Sequence, residues 1–457
     1  MNQYEYDVFV IGGGSGGVRA ARWGAKKGLK VGLAEGGRLG GTCVNVGCVP
    51  KKLFFHAAHL SSRFDQAKGF GWEITGEIRH NWDELKTGID TYLTKLNGIY
   101  ARLLDQAGVK RYPAWASVRS EHEVELVQGQ KQQVVKAKYI LLASGAVPDL
   151  PRFEGWDKCS TSDDFFALTD RPRSALVIGS GYIGVELAGV LAGLGIETTL
   201  AYRSTLPLKG FEYDLRVRLD QSLRTHINVI SEAHIDRVVG EKLGIKKVFF
   251  KGSEVPVEAE FILLATGRKP NTAQLNLESV GIALSERRQA IIVDEDYRTN
   301  IKNIFAVGDV IDRMHLTPVA LAEGMRVIHH IIDDPLPPLD YELVPTTVFS
   351  HPNIATVGLG EEHAKAEGYD IQVYESDFKP LQQALQSEPQ RVYMKMIVDQ
   401  KSGRVLGCHM IGEEAGEQIQ GLAVALQAGV TKQQLDQTVG IHPTMAEEWV
   451  TMRSPRD

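Results

Sequence analysis

Apolar positions along the chain fall into short runs closed by glycine, and the first run sets the pattern. Residues 6–11 form a strand-like run, residues 12–17 are glycine apart from Ser15, residues 18–28 are helix-forming, and residues 30–35 form a second strand-like run. This succession predicts strand, tight turn, helix and strand, one βαβ unit. The same order returns over 174–179, 180–184, 185–195 and 197–203, which predicts a second unit of the same kind. Two apolar runs, 139–148 and 261–270, end alike in turns at Gly145 and Gly267, and a third covers 304–310. Beyond the Pro-rich segment 333–345 the pattern changes to strands near 344–350, 354–359, 393–399 and 405–412 with a helix over 417–429, a sheet-and-helix terminal domain. The fold class expected is α/β, with two Rossmann-like dinucleotide-binding domains and a C-terminal α+β domain.

A chain of 457 residues exceeds one small core and implies about three domains. With 43% hydrophobic and 24% charged residues and a formal net charge of -6, it has the composition of a globular protein without a general attraction for nucleic acid. No run of apolar residues is long enough for a membrane span, and the N-terminus enters the first strand within a few residues, so neither a span nor a signal peptide is expected. A cytoplasmic location follows as the default. The four cysteines, Cys43, Cys48, Cys159 and Cys408, are too sparse for a disulfide-stapled secreted domain, and their spacing offers no zinc set, so no metal is expected.

Gly12, Gly14 and Gly17 make G-x-G-x-x-G between a strand and a helix, where the backbone can approach a pyrophosphate at the positive helix end. Glu35 closes the next strand, where an acid accepts hydrogen bonds from a ribose 2′-hydroxyl. This unit suits an unphosphorylated ribose, as in FAD. Gly179, Gly181 and Gly184 repeat the fingerprint, but Tyr202 stands at the equivalent of Glu35, followed by Arg203 and, further on, Lys209. Cations in place of the acid favour a 2′-phosphate, hence NADPH over NADH. The alternative is that Arg203 and Lys209 are solvated loop charges.

Cys43 and Cys48 lie four residues apart in one short segment and can close a small disulfide ring. A ring that small adds little stability, so the pair suits chemistry better than stapling. Pro50 and the residues after it look like a first helical turn, and a cysteine at that end near Lys51 has its thiolate favoured by dipole and charge, which points to Cys48. The alternative is a pair of reduced structural thiols. Cys159 and Cys408 are single and read as residues without redox duty.

With these residues assembled, the chain resembles the flavoprotein disulfide reductases, the class I pyridine nucleotide-disulfide oxidoreductases, over essentially its whole length. The motifs that carry the likeness are GGGSGG, GGTCVNVGCVPKK, GSGYIGVE, ATGR, AVGDV, LTPVALAEG, PTTVFSHP and HPTMAEEWVTMR, in that order. The resemblance implies an FAD-binding domain over 1–150, an NADPH-binding domain over 151–275, a central domain over 276–342 completing the FAD site, and an interface domain over 343–457 that makes a homodimer with shared active sites. It implies that Asp309, Thr42 and Thr317 contact the flavin, with Ser15, Gly145 and Lys51 also at the FAD site and Lys51 paired with Glu186. Tyr182 would gate the nicotinamide pocket, with Gly267 near the same cofactor. His442, oriented by Glu447, would be the general acid and base, an imidazole that titrates near neutrality; read from the residues alone, a surface histidine before Pro443 is the favoured reading. Electrons would pass from NADPH through FAD to the Cys43–Cys48 disulfide, with Cys48 facing the flavin, Cys43 attacking the substrate, and His442 of the partner subunit managing the leaving thiol's proton.

The resemblance is closest to the branch acting on glutathione disulfide. Ser15, Arg19 and Arg22 share one helix face, and a cationic face suits an anionic disulfide. Members acting on trypanothione carry an acid and a Trp at the positions of Arg19 and Arg22. Tyr92 and Tyr100 match tyrosines that line the glutathione site, the alternative being two core aromatics. Two departures stand out: Met325 occupies a position where many relatives place an Arg toward a substrate carboxylate, with Arg326 pointing elsewhere, and Leu381 stands where Met is common. Dihydrolipoamide dehydrogenases usually carry an acid where Arg203 stands, thioredoxin and mercuric reductases of this size need a C-terminal cysteine pair that the chain lacks, and a non-catalytic FAD-binding protein is the remaining alternative.

Overall fold

A computed structural model of the chain describes residues 3–456. It divides into two compact units, one built from residues 1–53, 83–149 and 267–339 and the other from 54–82, 150–266 and 340–457.

The first unit is organised by a parallel sheet. Strand Tyr6–Ile11 lies at its centre, between Val31–Ala34 and the long strand Lys131–Leu142, with Lys110–Tyr112 outside the former and Ile304–Ala306 beside the latter. Val8, Phe9 and Val10 are fully buried, as a strand covered on both faces requires. The expected first helix forms, but it begins at Ser15 and ends at Lys26, so half of the glycine turn is already helical. Gly16 and Gly24 allow a second helix, Thr317–Ile331, to lie close: a Cβ on Gly16 would sit 3.1 Å from the Ala320 carbonyl oxygen, and one on Gly324 2.8 Å from that of Gly16. Lys131–Leu142 extends well before the apolar run, because its polar first half pairs antiparallel with Glu123–Gln128, which pairs in turn with Trp115–Ser120. The two runs that end alike, at Gly145 and Gly267, continue into short strands that pair with each other, Ala146–Pro148 with Arg268–Pro270.

In the second unit, strands Asn228–Ile230, Glu197–Ala201, Ser174–Ile178 and Phe261–Leu264 form a parallel sheet in that order, with helix Tyr182–Gly193 connecting two of them. A three-stranded antiparallel sheet, Ile235–Val239, Lys246–Phe250 and Val257–Ala259, adjoins in sequence. The C-terminal part is a five-stranded antiparallel sheet, ordered Thr346–Val348, Ile354–Gly358, Val405–Ile411, Val392–Asp399 and Ile371–Phe378, with helix Ala415–Gln427 packed against Ile354–Gly358 and Val405–Ile411. Met394, Met396, Cys408 and Met410 are fully buried in its core. Among the described residues no helix is long and apolar enough to cross a membrane.

Three histidines meet inside this unit. The His351 ring lies 5.1 Å from that of His59 and 5.9 Å from that of His226, centroid to centroid. Burial, followed by the charges of His59, His226 and Arg63, holds the pKa of His351 down at about 4 against an ordinary 6.5. The unfolded chain therefore binds more protons than the fold between those two values, so the contribution of His351 is fully present above pH 6.5 and is lost as pH falls through 4. Calorimetry should show the melting temperature declining from pH 7 toward pH 4, with a shallower decline in His351→Gln; the same slope in both proteins would contradict the assignment.

Candidate active site

The segment that carries both cysteines is fastened to the first glycine turn. Gly12 has φ +110°, and a Cβ there would stand 2.3 Å from the Ala143 carbonyl oxygen; one on Gly17 would stand 2.0 Å from that of Gly12. Only glycine fits either position. The Gly40 amide donates to the Gly13 carbonyl at 2.8 Å, and a Cβ on Gly41 would approach the Gly14 Cα to 2.7 Å. Gly40 and Gly41 are both left-handed, φ +97° and +59°, and they feed the short helix Gly41–Asn45 that contains Thr42 and Cys43.

Two asparagines hold this segment from beneath. Buried Asn45 donates to the Arg38, Leu39 and Gly41 carbonyls, and Asn97 donates to Leu39 and to the Asn45 side-chain oxygen at 2.9 Å. Neither was anticipated, although Asn45 lies within the cysteine motif itself. Cys48 is the first residue of helix Cys48–Gly69, with Pro50 in its first turn, where a missing N–H leaves no partner unsatisfied. Cys48 thus stands at the positive helix end, as the sequence suggested. Lys51 is buried one turn on.

Cys43 is half-buried and Cys48 exposed. Their side chains share a hydrogen bond, and that bond, followed by burial and the charge of Cys48, drives the Cys43 pKa well above the ordinary thiol value. Hydroxyls of Thr317 and Ser15 pull the other way without reversing it. Thr317 also lies 3.7 Å from the Cys48 sulfur. Two adjacent thiols interact this way because the second negative charge is opposed by the first. Burial and the neighbouring sulfur thus disfavour the Cys43 thiolate.

Tyr100 interacts with Cys43 and with two cations, Arg19 and Arg22. Tyr100 is part-buried, and its phenol is held above the ordinary value by burial and by Cys43, and lowered by Arg19 and Arg22. Arg19 directs a guanidinium N–H at the Met325 sulfur, 3.8 Å away, a weak acceptor for a cation. The Nε of Arg22 is buried with no hydrogen-bond partner among the described residues. Arg326 turns away, donating to the Pro337 and Ala322 carbonyls. Tyr92 lies on the same helix as Tyr100, Trp82–Gln106, but is exposed.

The rest of the first turn fits an unphosphorylated dinucleotide. The Glu35 carboxylate accepts from the Gly13 amide at 2.6 Å and the Gly37 amide at 2.7 Å, so an acid stands beside the glycine turn at the end of its strand. Asp309, in the turn Gly308–Ile311, has its pKa raised by burial, with His315 and Arg268 opposing. The preceding amide, Gly308, is anchored by the buried carboxylate of Glu323 at 2.6 Å, a support whose only sequence signal was a charge inside an otherwise apolar helix face. Gly145 and Gly267 both have positive φ, as tight turns demand, and Gly267 accepts from Asp149.

The second unit holds the remaining candidates. Gly179 has φ +135°, and Cβ atoms on Gly179 and Gly184 would lie 2.1 Å from the Ala265 oxygen and 2.2 Å from the Gly179 oxygen. Helix Tyr182–Gly193 begins after Gly181 without a side-chain cap, leaving its first amides directed at the turn. Tyr202 is buried and its phenol donates to Asp220 at 2.5 Å, while Arg203 and Lys209 are exposed on the loop that follows. Tyr182 is 41% exposed at the helix start, and Glu186 is buried, accepting from the Phe349 amide at 2.8 Å. His442 and Glu447 meet as expected: Nδ1 lies 3.0 and 3.1 Å from the two carboxylate oxygens, and the imidazole is otherwise exposed. A carboxylate on Nδ1 fixes the proton there and leaves the Nε2 lone pair facing outward.

The sequence model of the pyridine nucleotide-disulphide oxidoreductases matches residues 6–324, and that of the family's dimerisation domain matches residues 344–453. The chain is 39% identical to a glutathione reductase of Burkholderia cepacia over the full length of both proteins. It is 38% identical to one from Nostoc sp. over 98% of this chain and 100% of the relative, and 39% identical to a chloroplastic/mitochondrial one from Pisum sativum over 99% and 83%.

Gly184→Ala tests the second turn. With a backbone oxygen 2.2 Å from the new carbon, the turn must open. The variant should lose about 1–3 kcal/mol of stability by calorimetry and bind nicotinamide nucleotide at least tenfold more weakly by fluorescence titration. Wild-type affinity would show that the turn does not carry the nucleotide.

Proposed function

The chain belongs to the pyridine nucleotide-disulphide oxidoreductase family, and on that premise we propose that it reduces glutathione disulfide to two molecules of glutathione with electrons from NADPH. The observation that carries this reading is the bond between the cysteine segment and the first glycine turn, which fastens a dithiol segment to a dinucleotide cradle. We assign FAD binding to residues 1–150 and 276–342, NADPH binding to 151–275 and dimerisation to 343–457. FAD, when bound, supplies the two-electron relay between the nicotinamide and the sulfurs.

The chain's own groups then have separate duties. Gly12, Gly14, Ser15 and Gly17 open the first turn to a pyrophosphate, Glu35 accepts from a ribose hydroxyl, and Thr42, Lys51, Gly145, Asp309 and Thr317 complete the flavin site. Gly179, Gly181 and Gly184 do the same for NADPH, Arg203 and Lys209 offer cations to its 2′-phosphate, and Tyr182, Glu186 and Gly267 frame the nicotinamide end. Cys43 attacks the substrate disulfide, forming a Cys43–glutathione bond as the substrate S–S bond breaks and one glutathione leaves. Cys48 then attacks the Cys43 sulfur, releasing the second glutathione and restoring the Cys43–Cys48 bond. The raised pKa of Cys43 makes a base necessary for the first attack. His442 of the partner subunit, with its Nδ1 held by Glu447, suits that duty and returns the proton to the leaving thiolate. Arg19, Arg22 and Tyr100 supply a cationic wall suited to the carboxylates of glutathione. The small number of cysteines favours the cytoplasm as the place of work.

NADPH oxidation measured in parallel with glutathione disulfide, trypanothione disulfide and lipoamide should be fastest with the first; no turnover of it would refute the reading. Cys43→Ser should abolish disulfide reduction while NADPH still bleaches the flavin absorbance in a stopped-flow experiment. Loss of both would mean that the two half-reactions are misassigned.

A further inference from the structure

We propose that Lys395, in the C-terminal sheet, is a positioning residue for recognition of the nucleotide 2′-phosphate: its buried ammonium fixes Glu212 and, through it, the loop that presents Arg203 and Lys209. The inference rests on the assignment of those two cations to the 2′-phosphate. Lys395 is 1% exposed, and its Nζ donates to Glu212 at 2.6 Å, Asp214 at 2.5 Å and Glu361 at 2.7 Å. Burial by itself favours a neutral amine; hydrogen bonds to Asp214, Glu212 and Glu361 more than reverse this and keep the ammonium charged. Oxygens of the three acids lie within 4.8 Å of one another, and the ammonium stands among them. Arg456 adds a second cation on Glu361 at 2.6 Å and also pairs with Glu375 at 2.7 Å.

The loop between strand Glu197–Ala201 and helix Tyr213–His226 is held at three places. At its start, buried Tyr202 donates to Asp220. In its middle, Leu208 is buried in a left-handed conformation, φ +53°, with its amide on the Ser180 carbonyl at 2.8 Å and Arg216 donating to the Pro207 carbonyl at 2.8 Å. At its end, the Glu212 carboxylate accepts from Lys395 on one oxygen and from the Glu361 amide at 2.9 Å on the other. A leucine with positive φ persists only where its surroundings over-determine it. Between Lys209 and the Glu212 anchor lies Gly210, φ +98°, a residue free to change its backbone once the anchor lets go. Without the Lys395 charge, three clustered carboxylates repel one another, Glu212 is driven out, and the strained loop relaxes with its two cations displaced.

The test is Lys395→Met, which keeps the length and removes the charge, in the intact flavoprotein. Kinetics with NADPH and with NADH would be run beside limited trypsin digestion without nucleotide, since trypsin cuts after Arg203 and Lys209. The expected result is a KM for NADPH raised about tenfold or more, KM for NADH and kcat nearly unchanged, and faster cleavage after Lys209. Glu212→Gln, which retains an acceptor for the Glu361 amide, should move the same quantities in the same direction by less, and serves if the first variant does not fold. An equal rise in both KM values, or unchanged NADPH kinetics with cleavage as slow as in the wild type, would overturn the proposal. Arg203→Ala separates the two ideas: an unaltered preference for NADPH over NADH in that variant would refute the cation assignment, while the digestion still decides whether Lys395 holds the loop.

Discussion

Everything at the candidate site depends on backbones that approach closer than a side chain allows. The first glycine turn closes on itself through Gly12 and Gly17, and the cysteine segment closes on the turn through Gly14 and Gly41. A methyl group at Gly12, Gly17 or Gly41 would fall 2.0–2.7 Å from a backbone atom, a distance that rotation of a side chain cannot relieve. The consequence is chemical as well as steric. A loop that could drift by an ångström would let the sulfurs wander from the cradle, and electron and thiol transfer both depend on near-contact geometry. Asn45 and Asn97 answer the same need from the other side, spending their amides on three carbonyls of the loop, so that the cysteine segment is rigid before any cofactor or substrate is present.

The second turn repeats the steric device and changes the electrostatics. Gly179 and Gly184 stand against backbone oxygens as Gly12 and Gly17 do, yet the strand that follows ends in a buried Tyr202 in place of the carboxylate of Glu35. The buried phenol of Tyr202 is spent on Asp220, whereas the Glu35 carboxylate accepts from the Gly13 amide of the glycine turn and from the Gly37 amide just after it. The difference between the two cradles is thus made by which way one side chain faces, with the cations of the next loop supplying the charge that the tyrosine does not.

Both βαβ units, the paired Gly-ended strands and the terminal sheet were legible in the sequence because each is a local signal: a hydrophobic period, a glycine turn, a Pro-rich joint. The candidate site residues with the strongest motifs, Cys43, Cys48, Glu35, His442 and Glu447, stand out in the sequence for the same reason, and His442 and Glu447 are joined in the structure by a hydrogen bond. What escaped was non-local or polar. The hairpin over Trp115–Gln128 escaped because its partner, the first half of Lys131–Leu142, carries exposed polar residues that do not read as strand. Asn45, Asn97 and Glu323 escaped because a polar side chain whose duty is to satisfy a distant carbonyl or amide has no pattern of its own. The cluster around Lys395 is the extreme case, since Glu212 with Asp214, Glu361 and Arg456 come from three separate stretches and each alone looks like a solvated surface charge.

The two cysteines show how much environment adds to a motif. Four intervening residues say only that the sulfurs can meet; the helix end at Cys48 and the burial of Cys43 make them unequal. The neighbouring Cys48 and burial raise the Cys43 pKa, and Tyr100, which interacts with Cys43, also interacts with Arg19 and Arg22. A thiol whose thiolate is disfavoured is a poorer nucleophile than one already ionised, so such a sulfur gains from a base beside it. On the proposed reading, the pair His442 and Glu447, in the part of the chain that matches the dimerisation domain, would supply the base from the partner subunit, and assembly of the dimer would then be a condition for turnover.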